Sequence, residues 1–100
     1  MYRFIRTATV NRAVNIPAAL QSAGEVAAYL NKAYSMDMKF GLELFGTAKV
    51  HWFLDTDSLD KITAIHAKIT QDREYIGLLE KSKTLWLEGG LKDTIVVMVG

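Results

Sequence analysis

The chain has 100 residues, half of them hydrophobic and 23% charged, a size that suits one core and a composition too apolar for a disordered segment. Its 12 basic and 11 acidic side chains leave a formal charge of +1, and the basic ones are scattered, which argues against nucleic acid or another polyanion as partner. Cysteine is absent, which excludes disulfides, thiolate metal sites and cysteine nucleophiles.

The first element, Tyr2 to Val10, is rich in aromatic and β-branched residues without Gly or Pro and reads as a strand. Its start, Met1-Tyr2-Arg3-Phe4-Ile5-Arg6, has basic residues inside the apolar run and no small-residue cleavage site, unlike a secretory signal. Asn15-Ile16-Pro17 then marks a helix start. Ile16, Leu20, Ala23, Ala27, Leu30 and Tyr34 recur at steps of three and four and form its apolar stripe, with Ser22, Glu25, Tyr29 and Lys32 on the other side. Two strand-like runs follow, Met38 to Phe45 and Lys49 to Asp55, joined by Gly46-Thr47-Ala48 as a short hairpin loop. Thr56-Asp57-Ser58 opens a second helix whose stripe is Leu59, Ile62, Ile65, His66 and Ile69. Asp72-Arg73-Glu74 reads as a helix restart, and Tyr75, Leu79, Ser82 and Trp86 carry helical spacing to about Leu87. Thr94 to Val99 is the last strand.

The order βαββαβ predicts an α+β domain over residues 1–100: a ferredoxin-like antiparallel sheet with helices on one face. No apolar run approaches the ~20 residues of a membrane-spanning helix, so the expected location is cytoplasmic and away from membranes. Taking the three-residue loop literally sets Phe45 opposite Lys49. Leu44, Leu42 and Phe40 then oppose Val50, Trp52 and Leu54 on one apolar face, while Glu43, Gly41 and Lys39 oppose His51, Phe53 and Asp55 on the other. That second face carries Phe45 and Phe53, and the last strand is apolar on both faces, so a second copy of the chain is the expected cover.

In this order and pattern the chain resembles the dimeric α/β-barrel superfamily. The similarity is closest in Val50-His51-Trp52-Phe53-Leu54-Asp55-Thr56-Asp57-Ser58-Leu59 and Asp72-Arg73-Glu74-Tyr75-Ile76-Gly77-Leu78-Leu79. These look like the third strand and two-part second helix of proteins related to antibiotic-biosynthesis monooxygenases and NIPSNAP-like proteins. The resemblance implies a homodimer of ferredoxin-like subunits paired sheet to sheet. Its members include oxygenases, isomerases and ligand-sensing domains, so fold alone does not choose among them.

Glu43 and His51 form the sharpest constellation, because a carboxylate beside an imidazole fixes the tautomer that a general base requires; the same pair also serves as a plain cross-strand contact. His66, on the stripe of the second helix, is either a core histidine or a base at a pocket edge. Trp52 and Trp86 are core or ligand-stacking residues. Tyr34 and Tyr75 either place hydroxyls at a cavity rim or pack. Arg6 alternates with Phe4 and Ala8 and so points inward, where it needs a carboxylate or an anionic ligand. No metal-ligand spacing and no Gly-x-Ser-x-Gly nucleophile motif is present. The residues thus suggest an enzyme of the cofactor-independent oxygenase or isomerase type acting on an aromatic or apolar substrate. His51 or His66 would serve as base and Arg6 as the enolate partner. The competing expectation is a non-catalytic dimeric ligand-binding or stress-related protein.

Overall fold

The computed structural model describes residues Met1–Gly100. The elements are β1 (Tyr2–Thr9), α1 (Ile16–Tyr34), β2 (Lys39–Glu43), β3 (Lys49–Thr56), α2 (Leu59–Ile69), α3 (Arg73–Lys81) and β4 (Lys92–Val97), with 3-10 turns at Ala13–Asn15 and Lys83–Leu85. The strands form one antiparallel sheet in the order β2-β3-β1-β4, and the helices lie on one face of it. This is the ferredoxin-like arrangement that the element order predicts.

The core sits between that face and α1. Ala19, Ala23, Val26, Ala27 and Leu30 recur at helical spacing and are all buried, and their small side chains bring the helix close to Val50, Trp52 and Leu54 of β3. Close approach continues at Gly24, where an added Cβ would stand 3.3 Å from Phe40 Cζ of β2. α1 stops at Ser35, whose left-handed backbone (φ 52°) turns the chain. Asn31 then clasps the start of the hairpin, accepting from the Met38 amide at 2.7 Å and donating to its carbonyl at 3.0 Å. The predicted restart at Asp72 is a true cap, since its Oδ1 accepts from the amides of Glu74 and Tyr75. α2 and α3 each bury a single residue, Ile69 and Tyr75; α2 rests chiefly on β3 and α3 on α1.

Three sequence expectations shift. The hairpin register is displaced by two residues, so that Glu43 faces Lys49, Gly41 faces His51 and Leu42 faces Val50. The loop spans Leu44 to Ala48, with Phe45 (φ 69°) and Gly46 (φ 90°) in the left-handed region. Phe45 therefore stands in the loop at 97% exposure instead of on the sheet. A two-residue shift preserves the parity of the faces, which is why burial could not detect it. The third helix ends at Lys81 rather than near Leu87. Past Thr7, where the pairing of β1 with the start of β4 stops, the backbone groups of Thr9 and Asn11 need partners, and residues 85–87 supply them: Leu87 N donates to Thr9 O and Asn11 N to Leu85 O, each at 2.8 Å. Trp86 is drawn into a bridge with Val10. Finally, β4 begins at Lys92 and ends at Val97 because β1 starts at Tyr2, the partner of Val97. The sheet face opposite the helices carries Ile5, Thr7, His51, Phe53, Thr94 and Val96 and no helix covers it. No helix is long and apolar enough to cross a membrane.

Candidate functional site

Between the sheet and the helices lies a cavity of about 840 Å3. Its floor comes from β1 and β3 through Phe4, Arg6, Ala8, Trp52 and Leu54; α2 and α3 wall it with Ile62, His66, Ile69 and Tyr75; Trp86 and Asp93 close one end. The lining is mainly apolar, as is usual for a small-molecule site. The indoles of Trp52 and Trp86 meet at 5.7 Å with a 56° tilt. Both have hydrogen-bond partners, Trp52 Nε1 donating to Ala23 O and Trp86 Nε1 to Ser82 Oγ.

One polar cluster interrupts this lining. Arg6 points inward with its side chain only 17% exposed. Asp93 offsets its charge, accepting from Nε at 2.8 Å and from Nη2 at 2.9 Å. Arg6 Nη1 donates to the buried Tyr75 hydroxyl at 3.2 Å. This leaves the phenolic hydrogen and the remaining guanidinium N–H groups to donate to a bound oxygen. The ion pair keeps the Asp93 carboxyl below the usual carboxylate range and the Arg6 guanidinium above its own usual value, and His66 lowers Asp93 further. Arg6, Trp52, His66, Tyr75 and Trp86, all singled out from the sequence, thus line one cavity.

The other three candidates lie elsewhere. Tyr34 is outside the cavity: its hydroxyl donates to Asp72 Oδ2 at 2.5 Å, beside Tyr29, which donates to the same oxygen at 2.6 Å. These bonds, Tyr29 first, hold the Asp72 carboxyl down at about 2 and push both phenols above the ordinary tyrosine range. Glu43 and His51 lie on the opposite sheet face. Glu43 Oε1 is 2.7 Å from His51 Nε2, reached diagonally across the strands despite the shifted register. His51 Nδ1 is 2.7 Å from the hydroxyl of Thr7. A second cavity of about 390 Å3 opens there, bordered by Thr7, Lys49, His51, Phe53 and Lys92.

The sequence did not mark Asp93 or Thr7, and it marked Asp72 as a helix start but not as the partner of Tyr29 and Tyr34. Asp93 and Thr7 acquire meaning only through the pairing of β1 with β4 and with β3. Alternation did carry a signal for Asp93, because an inward Arg6 demands a carboxylate across a neighbouring strand.

No protein-family model matches this sequence, and no curated protein is significantly similar to it. Solved structures are similar throughout. A NIPSNAP family protein of unknown function from Agrobacterium tumefaciens superposes with a TM-score of 0.78 at 19% identity, covering 96% of this chain and 86% of that one. A dimeric protein of unknown function and ferredoxin-like fold from Bacteroides fragilis gives 0.69 at 12% identity over 97% and 95%. A candidate antibiotic biosynthesis monooxygenase from Deinococcus radiodurans gives 0.67 at 15% identity over 100% and 94%. The fold is therefore the ferredoxin-like one that NIPSNAP and monooxygenase-type proteins share, as the sequence resemblance implied.

Proposed function

We propose that the protein is a small-molecule enzyme of the oxygenase or isomerase type that abstracts a proton from an aromatic or apolar substrate bound between the sheet and the helices. The observation that carries this reading is the Arg6–Tyr75–Asp93 cluster, the concentrated polar feature of an otherwise apolar cavity. A substrate oxygen seated there accepts from the Tyr75 hydroxyl and from Arg6. Because Asp93 already neutralises Arg6, the pair gives a resting anion little attraction. An oxygen that gains charge as a neighbouring C–H bond ionises is met by donors already in place. His66, on the α2 wall, is the base for that proton. Trp52 and Trp86 stack against the ring system of the substrate.

A ketone with acidic α-hydrogens tests the step common to both reaction types. In deuterated buffer, 2-tetralone should exchange its α-hydrogens faster with the protein than without it, as followed by NMR. His66→Gln should keep 2-tetralone binding and lose exchange by roughly 10²–10⁴-fold, the range of a general base. Binding with exchange at the buffer rate in the unsubstituted protein would instead favour a non-catalytic dimeric ligand-binding or stress-related protein. That second reading draws its own support from Arg6, whose charge Asp93 already offsets through two nitrogens.

The subunit is further proposed to pair with a second copy through the helix-free sheet face, residues 1–100 forming one half of a dimeric barrel. Ile5 and Phe53 lie on that face, and Val96 is 40% exposed beside them. The Bacteroides fragilis protein of the same fold is dimeric. Sedimentation at micromolar concentration should give a dimer. A stable species near the 11.2 kDa of one chain would overturn the pairing.

A further inference from the structure

We propose that Thr7, His51 and Glu43 form a second reactive centre, an acyl-transfer site on the sheet face opposite the Arg6 cavity. Both ring nitrogens of His51 are engaged. Glu43 as a carboxylate only accepts, so Nε2 of the neutral ring carries the hydrogen toward it. The lone pair then belongs to Nδ1, and the hydrogen bond at 2.7 Å must be donated by the Thr7 hydroxyl. The imidazole therefore has no free nitrogen for a ligand, and its basicity is exerted through Thr7 Oγ1. Hydroxyl, imidazole and carboxylate joined in this sequence are the parts of an activated nucleophile, here with the hydroxyl on Nδ1 and the carboxylate on Nε2, the reverse of the serine-protease arrangement.

The surroundings suit a small acyl compound. Lys92 lies directly across from Thr7 on β4, and Lys49 lies on the same face two residues before His51. Neither lysine is engaged in an ion pair. Their ammonium groups supply positive charge to the cavity where an attacked carbonyl would build up negative charge. Thr7, His51, Lys49 and Lys92 make the polar end of this cavity, and Ile5 and Phe53 border its other end. The polar group stands at the hairpin-loop end of the face, beyond Ile5 and Phe53, so pairing of two copies through those apolar residues leaves it at the rim. The substrate class is a small ester bearing an anionic or electron-withdrawing leaving group.

In the first half-reaction Thr7 Oγ1 bonds to the acyl carbon and the bond from that carbon to the leaving oxygen breaks. The hydroxyl proton passes to His51 Nδ1 and on to the leaving oxygen. Water then adds to the acyl carbon, giving its proton to His51. The acid departs and Thr7 Oγ1 recovers the proton.

p-Nitrophenyl acetate is the probe. The protein should release p-nitrophenolate with an initial burst, and acid quenching followed by peptide mass spectrometry should find acetyl on Thr7. Thr7→Val should lower the rate at least about 100-fold, the scale of losing a positioned catalytic group, whereas Thr7→Ser should retain turnover. Glu43→Gln should reduce the rate and alter its pH profile without removing the acetylation. Circular dichroism checks that each variant is folded, and the label on the unsubstituted chain decides the matter if one is not. Acetyl found on lysine or histidine but not on Thr7, or equal rates in the protein and folded Thr7→Val, would overturn the proposal. The Arg6 cavity is untouched by either result.

Discussion

Replacing Trp52 by alanine is expected to destabilise the fold by about 3–5 kcal/mol, the cost of deleting a large buried aromatic. Trp52 is 7% exposed on β3, one of the two inner strands, with Trp86 against its ring and its N–H donated to Ala23 O at 3.3 Å. The substitution removes the ring, the hydrogen bond and one of the contacts that hold α1 to the sheet. Part of the indole already borders the cavity, where it has no packing partners to lose, so the lower half of the range is expected. Urea unfolding measures the loss. A change under about 1 kcal/mol, the scale of a surface substitution, would mean that the ring stands free in the cavity.

The second large effect is in the acid response. Asp72 Oδ1 caps α3, and its Oδ2 takes the hydroxyls of Tyr29 and Tyr34 from α1, so one carboxylate joins two helices. With its folded pKa held at about 2, below the ~3.9 of an unfolded aspartate, its stabilising contribution is complete above the unfolded value. It is lost as pH falls through about 4 toward 2. The phenols act at the other limit, since their raised folded values make their contribution complete below ~10 and lost at higher pH. Tyr29→Phe with Tyr34→Phe should therefore be clearly less stable than the parent at neutral pH. The gap should narrow markedly at about pH 2.5, where the parent has lost most of the same contribution. Denaturant unfolding at the two pH values is the measurement, and a gap of constant size would remove Asp72 from this role.

What the sequence conveyed follows from how far each signal reaches along the chain. Period and alternation are local, and they placed all four strands, the helix starts and both sheet faces. Arg6 was legible as inward because Phe4 and Ala8 flank it. Pairing between distant strands is not local. Asp93 and Thr7 stand 87 and 44 residues from Arg6 and His51, the groups that give them meaning. The hairpin register was misplaced because φ-positive Phe45 is an uncommon loop choice and an even shift leaves every side chain on the same face. The Glu43–His51 contact survived that error because long side chains on one face also reach diagonally. Tyr29 was assigned to the outer side of α1 by position alone, yet its ring is long enough to bring the hydroxyl to Asp72.

Of the elements that wall the Arg6 cavity, α2 has few attachments to the rest of the fold. α1 and α3 are tied to each other through Asp72, and α1 is fixed to the sheet by its buried alanines. α2 belongs to neither attachment; it is held chiefly at Ile69 and against β3. Detaching it exposes far less apolar surface than unfolding the domain, so its opening has the free energy of a local fluctuation. The donors of Arg6 and Tyr75 stand on β1 and α3, so a displacement of α2 leaves that part of the cavity in place.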